Sequence, residues 1–423
     1  MKRLILLIIL FIFIGCPLLR AEEITLTLDE AVAIALRGNR DILLKSEEVK
    51  RAKLKISEAQ ANLYPSLTFT GVWKDTRDFY PKPDLGQTTT QFTLKQYLYR
   101  GGKTINTIAQ QENKWEVTQA LLDKSKLDTI LTVQKAFYLF LLTKDISDLN
   151  KKILENTLEH LTMVSKRYRK GQVSESEVLR IKESLANVKK AYSASLNQAE
   201  VSEALLKNLL FLEETIKINP VGFFVYQPKE VVYDEAFLKA MKNRPEIRQY
   251  EAQERADKKA IEIVKADNRP SIYASWDYYS SSTTTATFTS SKAWQDYSII
   301  GFTFTWPIFD GWATKSKVEQ AIVDLKETQL TQEKVKRDIT LELKNAYLSL
   351  GDAIAKMRAV ESEVLLYEDN FTTAQGQYKK GIASSLDLHD ADLKRQVALF
   401  NRNQAIYDYL IARVSFDKST GGL

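Results

Sequence analysis

Residues 64–71 read YPSLTFTG and residues 269–276 read RPSIYASW. In each stretch the proline closes what precedes it, because its ring cannot continue a helix and disfavours helical geometry in the residue before. Upstream lie charged runs without proline at 41–63 and 246–268, so Pro65 and Pro270 mark helix ends. Downstream the residues alternate. Leu67, Phe69, Gly71 and Trp73 follow the first proline, and Ile272, Ala274, Trp276 and Tyr278 follow the second. Period two marks a strand with one apolar face. A second alternating stretch comes after each: Phe92, Leu94, Gln96 and Leu98, then Ile300, Phe302, Phe304 and Trp306. Polar loops at 74–90 and 280–293 separate the paired strands.

The two stretches belong to an internal repeat. Asp29-Glu30-Ala31 recurs as Asp234-Glu235-Ala236 at an offset of 205, as Pro65 does at Pro270. Tyr99-Arg100-Gly101 answers Phe309-Asp310-Gly311, and Tyr168-Arg169-Lys170-Gly171 answers Tyr378-Lys379-Lys380-Gly381, both at an offset of 210. The expected copies are residues 22–230 and 231–423. Each opens with a short helix (28–37; 234–242), runs through the charged helix and the two strands, and leaves the second strand at Gly101-Gly102 or Gly311. Residues 103–168 and 312–378 then contain no proline, with apolar residues at three- and four-residue steps such as Ile130, Val133, Phe137 and Phe140. About 66 residues at a rise of 1.5 Å make a rod on the order of 100 Å, which needs coiled-coil partners. The chain turns at Gly171 or Gly381 and returns as helix 175–212 or 385–416.

Composition removes several function classes. Lys and Arg number 60 against 54 Asp and Glu, and three of that surplus, Lys2, Arg3 and Arg20, lie in the first 21 residues. The remaining +3 gives no basis for nucleic acid as a partner. One Cys and two His exclude most Cys/His metal centres and any disulfide framework, and no cofactor is expected. The apolar run Leu4–Ile14 behind Lys2 and Arg3 is too short to span a bilayer and fits the core of an export signal. Cleavage after Ala21 is one ending. Phe13-Ile14-Gly15-Cys16 resembles a lipoprotein box, in which Cys16 would be acylated, and is the other. No later stretch supplies about 20 apolar residues, so the exported chain is expected in the periplasm, outside the cell, or in an outer membrane as a β-barrel.

The opening LTLDEAVAIALRGNRDI, the two proline junctions, the junctions LYRGGK and IFDGWAT, and the hairpins RYRKGQVSESEVL and QYKKGIASSLDLHDADL together resemble the TolC-like outer-membrane efflux protein family. The resemblance covers nearly all of the chain after residue 21. It implies a mainly α fold with a membrane β-barrel: a duplicated protomer of long coiled-coil helices and four strands. Three protomers would form a twelve-stranded barrel standing on a periplasmic α-helical barrel. Four strands cannot close alone, and an open edge cannot persist in lipid. The implied function is a passive conduit of a tripartite efflux or type I secretion system. Its partners would be a periplasmic adaptor (membrane fusion protein) and an inner-membrane pump. Aromatic residues near the strand ends, among them Trp73, Phe79, Tyr80, Tyr99, Trp276, Trp294, Trp306 and Phe309, fit interfacial girdles.

The resemblance also assigns sites. Asp387 and Asp390 match the family's ring of gate carboxylates; their spacing puts both on one helix face, and rings of carboxylate select cations. Spacing alone equally fits acids favouring a helix start. Tyr378 matches the gate tyrosine and Glu177 stands where the first hairpin usually has Asp, so a Tyr378–Glu177 hydrogen bond is expected to tie the hairpins. Ala383 replaces the usual basic residue, which predicts a gate resting on fewer contacts. The turns Lys170-Gly171-Gln172-Val173 and Lys380-Gly381-Ile382-Ala383 are the expected adaptor-docking segments, and their glycines also serve left-handed turn geometry. Two rivals remain. His389 between the two aspartates suggests an acid/base group, but no nucleophile elbow, phosphate loop or metal constellation accompanies it. A poreless periplasmic coiled-coil spacer or adaptor explains the rods and leaves the four strands unexplained.

Overall fold

The computed structural model describes residues 23–76, 85–222, 226–228, 231–282 and 294–422. The expected export signal with Cys16, the loop centres 77–84 (with Phe79 and Tyr80) and 283–293, and residues 229–230 beside the expected copy boundary lie outside the described residues. In chain order the first copy contains β1 (Glu23–Leu26), α1 (Leu28–Gly38), α2 (Arg40–Gln60), β2 (Ser66–Thr76), β3 (Leu85–Arg100), α3 (Lys103–Arg169) and α4 (Glu175–Leu210). After β4 (Lys217–Pro220) the second copy follows with α5 (Tyr233–Asn243), α6 (Pro245–Lys265), β5 (Ser271–Ser282), β6 (Trp294–Thr305), α7 (Ala313–Lys379) and α8 (Ser385–Ser419). Both α3 and α7 are 67 residues long. A 3₁₀ turn, 61–63 or 266–268, carries each charged helix to its proline.

The helix starts follow local chemistry. Thr27 and Glu30 form a capping box at α1: the Thr27 amide donates to Glu30 Oε2 at 2.9 Å and the Glu30 amide to Thr27 Oγ1 at 3.3 Å. Asn39 Oδ1 accepts from the amides of Asp41 and Ile42 at 2.8 and 3.3 Å where α2 begins. At the matching place α6 starts on Pro245 instead, whose missing N–H and fixed φ suit a first helical position.

The strands run further than the alternation predicts. β2 and β3 narrow the expected 74–90 loop to 77–84, and β5 and β6 narrow 280–293 to 283–293. The added residues include Thr88, Thr89 and Thr90, which pair with Ser282, Ser281 and Ser280. Thr favours the pleated backbone without joining an apolar alternation. β1 and β4 were not legible at four residues each. They pair in parallel, Ile24 against Ile218.

Tertiary contacts divide the chain into two compact units, each drawing segments from both copies. Of the described residues, one takes in those from Glu23 to Leu43, from Ser125 to Asn243 and from Ile339 onward. Its core joins Leu26, Ala31, Ala35, Val133, Phe137, Phe140, Leu206, Leu210 and Ile218, so β1, β4 and α1 pack on α3 and α4. Fully burying a side chain such as Phe137 stabilises by roughly 1.5–3 kcal/mol. A second cluster, Met357, Val360, Ala398, Ala405 and Ile406, joins α7 to α8.

The other unit comprises Leu44–Lys124 and Arg244–Asp338. Here α6 lies between α3 and α7 on polar rungs. Arg248 Nη2 donates to Asp123 Oδ2 at 3.0 Å, and Arg255 pairs with Glu116. On the other side Thr328 Oγ1 donates to Asp257 Oδ2 at 2.7 Å and Gln329 Nε2 to Glu254 Oε1 at 3.1 Å. Ala252 and Ala256 are buried, which lets the helices approach closely. At the start of α6, Arg244 and Glu246 form a buried ion pair: Nη2 donates to Oε1 at 3.2 Å, and Nε lies 3.1 Å from Oε2.

Candidate functional site

The sheet of the second unit is an antiparallel meander in the order β2-β3-β5-β6. Its register lines up complete cross-strand rows. Leu67, Leu94, Trp276 and Ile300 form one, and Phe69, Phe92 and Tyr278 form the next with Ser298. These apolar side chains stand in the open: Leu67 is 66% exposed, Ile300 76% and Phe302 75%. A water-soluble sheet would bury that face.

The opposite face is polar and hydrogen-bonded to itself. The row between the two apolar ones holds Thr68, Thr93, Asp277 and Ile299. Thr93 Oγ1 donates to Asp277 Oδ1 at 2.6 Å, and Gln91 Nε2 donates to Asp277 Oδ1 at 3.0 Å. Further along, Lys95 Nζ lies 3.9 Å from the centroid of the Tyr273 ring and 4.8 Å from that of Tyr97. One apolar and one polar face, alternating residue by residue, suit a wall between lipid and water. A register shift between Tyr97 and Tyr99 bends β3 at Leu98, where the expected alternation breaks. β2 and β6 form the two edges, and among the described residues no strand pairs with their outer sides.

The two hairpin turns of the first unit are near copies. At the first, the Gln172 amide donates to Arg167 O at 3.0 Å and the Gly171 amide to Tyr168 O at 2.9 Å. At the second, the Ile382 amide donates to Gln377 O and the Gly381 amide to Tyr378 O, both at 3.0 Å. Each is a Schellman close with a left-handed glycine, Gly171 at φ 70° and Gly381 at φ 75°. An added Cβ would meet nothing within 4 Å at either glycine, so conformation rather than space selects the residue. Lys170, Gln172 and Lys380 are exposed, and Ile382 is 74% exposed. Ala383 is half-buried. Val173 instead packs on Val164, Val178 and Ile181, so it anchors the turn.

The expected gate residues sit on the helices beside these turns. Ser384 caps α8: its amide and hydroxyl donate to Asp387 Oδ2 at 2.9 and 2.8 Å, and the Asp387 amide donates to Ser384 Oγ at 3.2 Å. Those bonds hold the Asp387 carboxyl below its ordinary range. Asp387 is thus oriented by the helix start, as spacing alone allowed, and remains an exposed anion. Asp390, one turn on, is exposed. Glu177 occupies the equivalent third position of α4, where its amide donates to Ser174 Oγ at 3.4 Å. Tyr378 does not reach Glu177 within the protomer. Its hydroxyl donates to Met163 Sδ at 4.0 Å and its ring carries the Arg167 guanidinium at 5.6 Å.

Sequence reasoning missed one arrangement near the turns. His160 of α3 and His389 of α8 face each other with ring centroids 5.4 Å apart. They line a groove of about 370 Å³ together with Met163, Phe371, Asp392 and Arg395. No periodicity argument pairs two helices so far apart in sequence; the position of each histidine about three turns from, or one turn into, a hairpin was the available signal. Among the described residues no cluster of three or more His, Cys, Asp or Glu has the geometry of a metal site, and no helix is long and apolar enough to cross a membrane.

Comparison with known proteins agrees with this architecture. The family described as outer membrane efflux protein matches residues 31–210 and 238–422, one match per copy. No curated protein matches the chain by sequence. Among solved structures, the CmeC outer membrane channel of Campylobacter jejuni is similar at 17% identity over 93% of this chain and 85% of that one, with a TM-score of 0.78. The open state of the MtrE outer membrane channel of Neisseria gonorrhoeae gives 17%, 93%, 89% and 0.78. The outer membrane protein VceC of Vibrio cholerae gives 15%, 93%, 96% and 0.76. Matched along both copies, and bearing a sheet whose exposed face suits lipid, the chain belongs to the outer membrane efflux protein family and is an outer-membrane efflux channel.

Proposed function

We propose that the channel is a homotrimer in which twelve strands close one barrel, with the long helical hairpins forming a periplasmic conduit whose entrance is gated. The copies 22–230 and 231–423 are the units of the underlying duplication. The observation that carries the reading is the four-stranded sheet with an apolar face, a polar face and two open edges. In hydrocarbon each unpaired backbone group costs several kcal/mol, so the β2 edge of one chain must meet the β6 edge of another. The helices nearest those edges agree. Leu44 and Leu54 of α2 and Ile322, Val323 and Leu330 of α7 are exposed, which offers unlike apolar surfaces for a closed ring of copies.

In this reading Asp387 and Asp390 form two threefold carboxylate rings at the entrance, and Tyr378 reaches Glu177 of a neighbouring protomer when closed. Ile382, Lys170, Gln172 and Lys380 offer the contact surface to a periplasmic adaptor, which in turn couples to an inner-membrane pump. The purified protein reconstituted in planar bilayers tests the channel. It should give cation-preferring conductance, with the preference reduced in Asp390→Asn and the open fraction raised in Tyr378→Phe. Unchanged traces in both variants would overturn the gate. Exchanging the two turn sequences should abolish adaptor co-purification while the oligomer persists.

A further inference from the structure

The two histidines of the chain meet across the seam between the hairpins. His160 is half-buried on α3, with the His389 ring of α8 5.4 Å away and tilted by 33°. His389 Nε2 is 3.3 Å from Ser184 Oγ on α4, so the pair touches three helices within a few turns of the tips. Side chains from four helices surround the pair, and Arg167 is the charged one among them that opposes a proton on His160. From α3 come Glu159, which is exposed, and Arg167. From α8 come the exposed Asp390 and, in the groove, Asp392 and Arg395, but the Asp392 carboxylate already accepts from Arg395 at 2.7 Å and Gln396 at 2.6 Å. From α4 comes the neutral Ser184, with Lys182 and Glu183 exposed beside it. From α7 come the uncharged Phe371 and Gln375.

We propose that the His160–His389 contact is a proton-sensitive latch: neutral rings let α3 and α8 close at the tip, and charging both rings drives them apart. This rests on the reading of the tips as a gated entrance. Burial, then His389, then Arg167 hold His160 below the ordinary imidazole value of 6.5. A group whose folded value is depressed binds more protons when the seam is open. Seam stability is therefore complete above that ordinary value and declines as pH falls towards the lower folded one. Over that window each pH unit shifts the opening equilibrium by up to about tenfold through His160.

Hydrogen exchange of the full-length channel in detergent tests the latch. Exchange in 155–165 and 385–396 is compared at pH 7.5, 6.5 and 5.5 after correction for intrinsic rates, with β2–β6 peptides as reference and bilayer conductance measured in parallel. Opening of these segments should rise between pH 6.5 and 5.5, by up to about fivefold. His160→Gln and His389→Gln should reduce that rise to under about twofold, against the same unit-pH expectation. His389→Lys should hold the seam loose already at pH 7.5. Equal pH responses in wild type and Gln variants, a tight seam in His389→Lys, or protection of the segments by Zn²⁺ alone would overturn the proposal. Should exchange respond as expected while conductance ignores pH, the latch stands and the gated entrance falls. Should Tyr378→Phe and Asp390→Asn alter conductance while the histidine variants leave exchange unchanged, the latch alone falls.

Discussion

Gly101 and Gly311 occupy equivalent strand-to-helix junctions, and the duplication makes each the control for the other. Both have positive φ, 61° and 67°, so alanine at either must enter the left-handed region at roughly 1–2 kcal/mol. Their surroundings differ. A Cβ on Gly101 would lie 2.6 Å from Arg269 Cβ and 3.1 Å from Ala266 O, whereas one on Gly311 would meet nothing within 4 Å. Relieving that overlap must displace Arg269, whose Nη1 donates to Gly101 O at 3.0 Å. The lost bond is worth about 1 kcal/mol and the overpacking about 1–3 kcal/mol. Gly311→Ala should therefore cost about 1–2 kcal/mol and Gly101→Ala about 3–6 kcal/mol. Thermal melts in detergent, followed by tryptophan fluorescence, should place Gly101→Ala about 2–4 °C below Gly311→Ala. Equal losses, or a greater loss at Gly311, would refute the argument that crowding by Arg269 separates the two junctions.

Three further outcomes follow from single contacts. Trp312 holds a non-glycine left-handed φ of 69° beside Phe309, ring centroids 5.9 Å apart; Trp312→Gly trades strain relief of roughly 1 kcal/mol against an edge contact of about 0.5–1.5 kcal/mol. Its chemical stability in detergent should stay within about 1 kcal/mol of wild type on that balance, and a loss several times larger would contradict it. Glu246→Gln should destabilise by about 1–3 kcal/mol in urea titration, because it removes the charge from the acceptor of the Arg244 Nη2 bond; a change near zero would mean that this bond carries no net stability. Ser384→Ala should speed amide exchange over the first turn of α8. Because Ser384 holds Asp387 below the usual carboxylate range, the wild-type cap should persist at neutral pH and loosen only as pH falls below that range, whereas fraying of the wild type at pH 7 would contradict the capping assignment.

Long elements were legible because their signals are repetitive. Proline before a period-two run, and proline-free three- and four-residue steps after a glycine, set the centres of the four wall strands and, among the described residues, the bounds of eight helices to within a few residues. The repeat added the order of elements, since each weak junction occurred twice. β1 and β4 escaped because four residues cannot display an alternation, and the ends of β2, β3 and β5 escaped because Thr and Ser pair well without being apolar. The site was read less completely. Asp387 and Glu177 lie beside the two hairpin turns, where Ser174-x-x-Glu177 and Ser384-x-x-Asp387 are also capping patterns, and the Ser384–Asp387 box is formed here. The His160–His389 contact and the Arg244–Glu246 pair depend on how separate segments pack, which one strand or helix pattern does not encode.

Closure of the β2 and β6 edges between copies is the claim on which the channel depends, and subunit counting measures it most directly. Native mass spectrometry of the detergent-released protein should give three chains per particle, with heating in denaturing detergent converting a slow-migrating band to one near 48.4 kDa or slightly below. A single-chain particle that stays dispersed once detergent is withdrawn would contradict it.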